Sequence, residues 1–157
     1  MSESISIISE DKAERYAELY PQIEALVSGE CDDISNMANI AAAIHTTFGF
    51  WWTGFYRVVE QELILGPFQG PVACSRIGYG RGVCGTAWRE QQTQVVADVE
   101  LFPGHIACSS LSRSEIVVPV WRNGAIIGVL DIDSKHLATF DSIDKEWLER
   151  IVTLLDR

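Results

Sequence analysis

Between Asp11 and Ser28 the apolar residues Tyr16, Leu19, Ile23, Leu26 and Val27 recur at helical spacing, which predicts an amphipathic helix. Pro21 falls inside this stretch and is expected to end or kink its first half, since proline lacks the amide hydrogen a helix needs. A second stripe, Ile34, Met37, Ile40, Ala41 and Ile44, predicts a helix from Asp33 to Thr47 with Asp32 or Asp33 as its cap. The period then changes from helical to alternating. Trp51 to Val59 is aromatic and β-branched and reads as a strand. Glu62 to Leu65 reads as a second strand closed by Gly66-Pro67, and Val72 to Ile77 as a third. Val83 to Glu90 is a short helix, Thr93 to Ala97 a strand, and Leu101 to Arg113 a loop. Glu115 to Trp121 and Ala125 to Asp133 are two strands joined through Asn123-Gly124, a strong hairpin signal. Ser142 to Asp156 closes as a helix capped by Asp141, with Ile143, Trp147, Ile151 and Leu154 or Leu155 inward. Hairpins dominate the β part. The expected fold class is therefore α+β, a largely antiparallel central sheet with the terminal helices packed on one face, in one domain over residues 1–157.

The net charge of −10 argues against a nucleic-acid backbone or an anionic membrane as partner. No apolar run is long enough to span a bilayer. Met1-Ser2-Glu3-Ser4-Ile5-Ser6 has neither the basic region nor the apolar stretch of a secretory signal, so a cytoplasmic location is expected.

Three of the four cysteines, Cys74, Cys84 and Cys108, sit in turn-rich strings where reactive groups are commonly presented. Their long, irregular spacings lack the close pair of a structural zinc site, so no metal is expected. Cys31 stands apart. Asp131 and Asp133 end a very apolar strand and point to one face, with Glu115 opening the neighbouring strand. Carboxylates so placed repel unless a cation neutralises them, so they read either as a solvated strand end, with Asp133 capping the following turn, or as a pocket for an ammonium group or metal. Trp52, Gly54 and Tyr56 share one face of their strand, and Trp51, Thr53 and Phe55 the other. The first face can wall a small pocket for a sulfur-bearing group, with Gly54 leaving room for a ligand. Gly80-Arg81-Gly82-Val83-Cys84-Gly85 matches G-x-G-x-x-G, but the helix after it is too short for a dinucleotide-binding crossover. It reads better as a turn that brings Cys84 close to another thiol. His45 and His136 read as structural, and His105 as a neighbour able to influence Cys108.

Taken together, the strings Trp51 to Tyr56, Cys74 to Gly85, Asp98 to Cys108, Ser114 to Val120 and Gly128 to Ser134 resemble those of the free methionine-(R)-sulfoxide reductases, which are built on a GAF domain. The resemblance covers nearly the whole chain in family order. It implies that Cys108 is the nucleophile, passing through a sulfenic acid, and that Cys74 or Cys84 forms a disulfide with it that thioredoxin reduces. It implies that Glu115, Asp131 and Asp133 hold the substrate ammonium and polarise the sulfoxide oxygen, one of them protonated. Trp52 and Tyr56 would form an aromatic wall around the methyl group. No cofactor is implied, and a homodimer is compatible with the sequence. A free amino acid carries an ammonium that a peptide-bound methionine lacks. An ammonium and a carboxylate near 4 Å attract by about 4 kcal/mol at an effective dielectric of about 20, enough to select free substrate. The competing reading is a non-catalytic GAF sensor whose cysteines act as a redox switch.

Overall fold

Strict alternation along three strands divides the molecule into two cores. In the computed structural model, which describes residues 4–106 and 111–157, six strands form one sheet in the order β3-β2-β1-β6-β5-β4, every pairing antiparallel. They are β1 (Trp52–Val59), β2 (Glu62–Gln69), β3 (Arg76–Gly78), β4 (Gln94–Val96), β5 (Ser114–Arg122) and β6 (Ala125–Ser134). The helices are α1 (Lys12–Val27), α2 (Asp33–Phe48), α3 (Gly82–Glu90) and α4 (Ser142–Val152). Phe55, Ile116, Val118, Leu130 and Ile132 point to one face and pack under α1, α2 and α4. Their sequence neighbours Tyr56, Val117 and Val129 point to the other, where α3 contributes Val83, Cys84 and Ala87. The expected α+β sheet with terminal helices on one face is what forms.

Local chemistry explains most boundaries. The Asp32 carboxylate accepts from the Ser35 amide at 2.9 Å and starts α2, and Gly49, at φ 68°, ends it. Asn123 and Gly124 both have positive φ, as a two-residue hairpin turn between twisted strands requires. Asp141 and Asp144 form a capping box at the start of α4. The buried Asp144 carboxyl also accepts from the Tyr16 hydroxyl at 2.6 Å and the Lys12 ammonium at 2.7 Å, which ties α1 to α4.

Several elements differ from expectation. α1 runs through Pro21 without ending there. β2 continues past Gly66-Pro67 to Gln69; the register shifts opposite that dipeptide, between Gly54 and Tyr56, and an irregular ladder tolerates a missing donor. Residues 72–75 are loop, and only Arg76–Gly78 pair as β3. Pro119 is accepted inside β5 because β4 pairs only with Glu115 to Val117, leaving that stretch of edge without a neighbour. α4 stops at Val152 and continues as a 3-10 turn over Thr153–Leu155, with Leu148 rather than Trp147 fully buried. Among the described residues no helix is long and apolar enough to cross a membrane.

Candidate functional site

Register brings the expected residues onto one surface. Trp52 pairs with Asp133 and Asp133 with Glu115, so these three lie in one row across β1, β6 and β5. Gly54, Asp131 and Val117 form the next row. Ile132 and Ile116, one residue away in each strand, face the helical core instead. A cavity of about 560 Å3, counting its open mouth, lies over the two rows. Cys84 in the first turn of α3 and His105 in the segment between β4 and β5 also line it.

The cavity floor is crowded with acid. Glu115 and Asp131 are each only 6% exposed, and Asp133 is half-buried. Among the described residues no lysine or arginine pairs with any of the three. One Asp131 oxygen, Oδ1, is buried without a hydrogen-bond partner. Burial pushes the Glu115 carboxyl well above the usual range, and the neighbouring Asp131 and Asp133 charges push it further. Burial and the Asp131 charge do the same to Asp133, opposed by the Ser112 hydroxyl, which donates to Asp133 Oδ1 at 3.0 Å. Asp131 is raised by burial, with hydrogen bonds from Glu115 and Cys84 pulling the other way. The three carboxyls therefore hold protons more readily, as a group, than exposed carboxyls do. Burial, then Asp131, also drives the Cys84 thiol well up.

The aromatic wall is present but built differently from expectation. The Trp52 ring stacks on Phe68 at 5.2 Å and on Tyr56 at 6.0 Å between centroids. Gly54 does not leave room for a ligand. A Cβ there would come within 2.4 Å of Phe68 and 2.6 Å of the Trp52 ring, so the missing side chain makes space for the wall itself. Trp51 precedes β1 and lines the cavity, instead of joining Phe55 on the helical face. Trp52 Nε1 donates to the Pro71 carbonyl at 3.0 Å and the Tyr56 hydroxyl to the Cys74 carbonyl at 2.8 Å.

Cys74 is half-buried and disulfide-bonded. Cys84 is a buried free thiol and Cys31 an exposed one. Cys108, named above as nucleophile, lies outside the described residues. The glycine motif serves packing: a Cβ on Gly85 would meet the Gly78 carbonyl at 2.5 Å, so the turn folds tightly onto α3. Cys84 is thereby set beside Glu115 and Asp131 and remains free. His45 lies 3.4 Å from the Thr53 hydroxyl and His136 accepts from Ser114 through its carbonyl, both in supporting positions. Burial lowers the pKa of His105. Ser112 and Trp51 escaped sequence reasoning. Ser112 carries no signal beyond a run of serines, and Trp51 sits one residue outside the strand whose alternation assigned it.

Residues 31–156 match the GAF domain family. The chain is 44% identical over 148 residues to the free methionine-R-sulfoxide reductase of Escherichia coli, covering 94% of this chain and 90% of that one. It is 57% identical over 157 residues to GAF domain-containing protein A of Dictyostelium discoideum, with 99% of each covered. A crystal structure of the free methionine-R-sulfoxide reductase from Neisseria meningitidis, in complex with its substrate, superposes with a TM-score of 0.97 at 52% identity, over 99% of this chain and 94% of that one.

Proposed function

The chain belongs to the GAF-domain family and, within it, to the free methionine-R-sulfoxide reductases, and from that premise we propose that it reduces free L-methionine-(R)-sulfoxide by a thiol route recycled by thioredoxin. The Cys108 thiolate attacks the sulfoxide sulfur while a protonated carboxyl, Glu115 or Asp133, hydrogen-bonds the sulfoxide oxygen and delivers its proton as the S–O bond breaks. The released hydroxide then bonds to the Cys108 sulfur as the new sulfur–sulfur bond breaks, so that methionine leaves, its sulfur reduced by two electrons, and Cys108 is left as a sulfenic acid. A second thiol, Cys74 in the main route, attacks that sulfur. Water leaves and a disulfide remains, which thioredoxin reduces by exchange. Cys84 is the alternative resolving thiol. Asp131, whose buried Oδ1 has no hydrogen-bond partner among the described residues, holds the substrate ammonium, and Trp52 and Tyr56 wall the methyl group.

One observation carries the reading: Glu115, Asp131 and Asp133 crowd a buried cavity floor beside an aromatic wall, with no lysine or arginine paired to them among the described residues. An ammonium ligand supplies the missing charge, and burial with the neighbouring carboxylates favours a proton-donating carboxyl there. The disulfide at Cys74, beside a free Cys84 thiol, supports Cys74 as resolver. Thioredoxin as reductant places the reaction in a reducing compartment, which agrees with the expected cytoplasmic location. The test is methionine formation from the free R epimer with dithiothreitol, then with thioredoxin and its reductase. Absence of methionine with both reductants overturns the reading.

A further inference from the structure

The ammonium reading accounts for the three carboxyls but leaves Cys84 without a part in binding. A thiol that burial holds protonated adds little to an ammonium site. Yet the Cys84 sulfur, one Glu115 oxygen and one Asp131 oxygen lie within 4.8 Å of one another, all on buried residues. They come from three separate elements, α3, β5 and β6, so the convergence belongs to the fold and not to local sequence. Asp131 adds a second, independent sign. Asp131 lines the cavity, and its Oδ1 is buried and without a hydrogen-bond partner among the described residues, so a donor or a cation is owed to it.

We propose that Cys84, Glu115 and Asp131 form a binding site for a thiophilic divalent cation of the zinc or cadmium type, placed where the substrate's ammonium would otherwise sit. Zinc binds cysteine sulfur at about 2.3 Å and carboxylate oxygen at about 2.0–2.2 Å, which sets tetrahedral neighbours about 3.5 Å apart. A triad already within 4.8 Å needs to close by only about 1 Å to reach that spacing. The mixed sulfur and oxygen set favours a borderline-soft d10 ion over magnesium or calcium, which take oxygen ligands in larger number. On binding, the Cys84 S–H bond breaks, a sulfur–metal bond forms and the proton leaves to solvent, with any proton the two carboxyls held. Cys84 stands in the first turn of α3, where the helix's positive end favours the thiolate so formed. A fourth position is left to water.

The site stands on this geometry alone; only the expectation that metal and substrate exclude each other rests on the function proposed above. The protein with Cys74 disulfide-bonded is titrated with Cd2+, and the cadmium–thiolate charge-transfer band is followed in the ultraviolet. One band per chain, at the intensity of a single thiolate, is expected, and Zn2+ should displace it. Cys31→Ser should keep the band and Cys84→Ser lose it. Asp131→Asn, which keeps the side chain's shape, should weaken binding at least about tenfold. Absence of a thiolate band in the unaltered protein, survival of the band in Cys84→Ser, or unchanged affinity in Asp131→Asn each overturns the site. None of these results bears on methionine formation in metal-free buffer, so the site and the enzymatic reading fail separately. With active enzyme, free methionine sulfoxide should displace Cd2+. Simultaneous binding of both overturns the placement at the ammonium position.

Discussion

The Tyr56 hydroxyl donates a 2.8 Å hydrogen bond to the carbonyl of Cys74. Trp52 does the same for Pro71 at 3.0 Å, so two aromatic residues of one strand hold both ends of residues 71–74. The wall of the cavity is thus also the clamp of the cysteine loop. Tyr56→Phe keeps the buried ring and removes one bond, at a stability cost of about 0.5–1.5 kcal/mol. It should leave the first release of methionine near normal and slow closure of the disulfide severalfold. Rapid-quench measurement of methionine against loss of free thiol separates the two steps. Equal slowing of both would mean that the hydroxyl acts on the substrate and not on the loop.

The cysteine roles are tested by single turnover. Cys108→Ser should abolish methionine formation even in excess dithiothreitol, because a hydroxyl forms no reducible sulfenic intermediate. Cys74→Ser should yield about one methionine per chain without reductant, then stall with thioredoxin. If Cys84→Ser stalls instead and Cys74→Ser recycles, the two thiols exchange roles.

Selectivity should follow the acid cluster. N-acetylation of the substrate removes the ammonium and should lower kcat/KM by at least about a hundredfold, since an unpaired buried charge costs roughly 3 kcal/mol or more. The S epimer should be inert, because its oxygen and methyl exchange places against the Trp52 wall. Initial rates on the free R, free S and N-acetylated R forms decide this. Equal rates on the free and acetylated R forms would remove the case for an ammonium subsite.

The same cluster should weaken the unliganded fold as pH rises. An unfolded glutamate titrates near about 4.3, whereas burial and the neighbouring carboxylates hold Glu115 well above that. Between the two values the native state keeps a proton that the unfolded chain has lost. Stability is therefore full below the unfolded value and falls as pH rises through the folded one, by at most about 1.4 kcal/mol per pH unit for each group. Glu115→Gln should raise the Tm relative to the unaltered protein at pH 8, with the gap closing towards pH 4. Thermal melts across that range check it, and a gap that widens towards acid pH would reverse the sign.

Much of this was legible because it rests on short-range rules. Alternation in Asp131-Ile132-Asp133 placed both carboxyls on one face, Asn123-Gly124 announced the hairpin, and Asp32 and Asp141 announced two helix starts, whereas the register shift between Val120 and Trp121 that sets Glu115 opposite Asp133 carried no signal. What escaped depended on contacts distant in sequence. Gly54 looked like space because the sequence does not say that Phe68 and the Trp52 ring would fill it. Val72 to Ser75 looked like strand from its apolar residues, but the hydrogen bonds from Trp52 and Tyr56 tie Pro71 and Cys74 to the cavity wall, and contact with β2 begins only where the Ser75 carbonyl accepts from Leu65. That Cys84 stands beside Glu115 and Asp131 depends on α3 folding over β5 and β6, which no short-range pattern announces.

The single-residue alternation of β6 has an evolutionary corollary. Asp131 and Asp133 face the cavity while Leu130 and Ile132 between them fill the helical core. Deleting or inserting one residue between Val129 and Asp133 would turn the acids into the core and the aliphatics into the cavity unless a bulge, such as the one already present between Val120 and Trp121, absorbed the shift. Without such a bulge, descendants can change what this pocket recognises only by exchanging side chains on one face while the other stays fixed. Divergence in this fold should therefore read as point replacements at every second position of β1, β5 and β6, with changes of length confined to the loops.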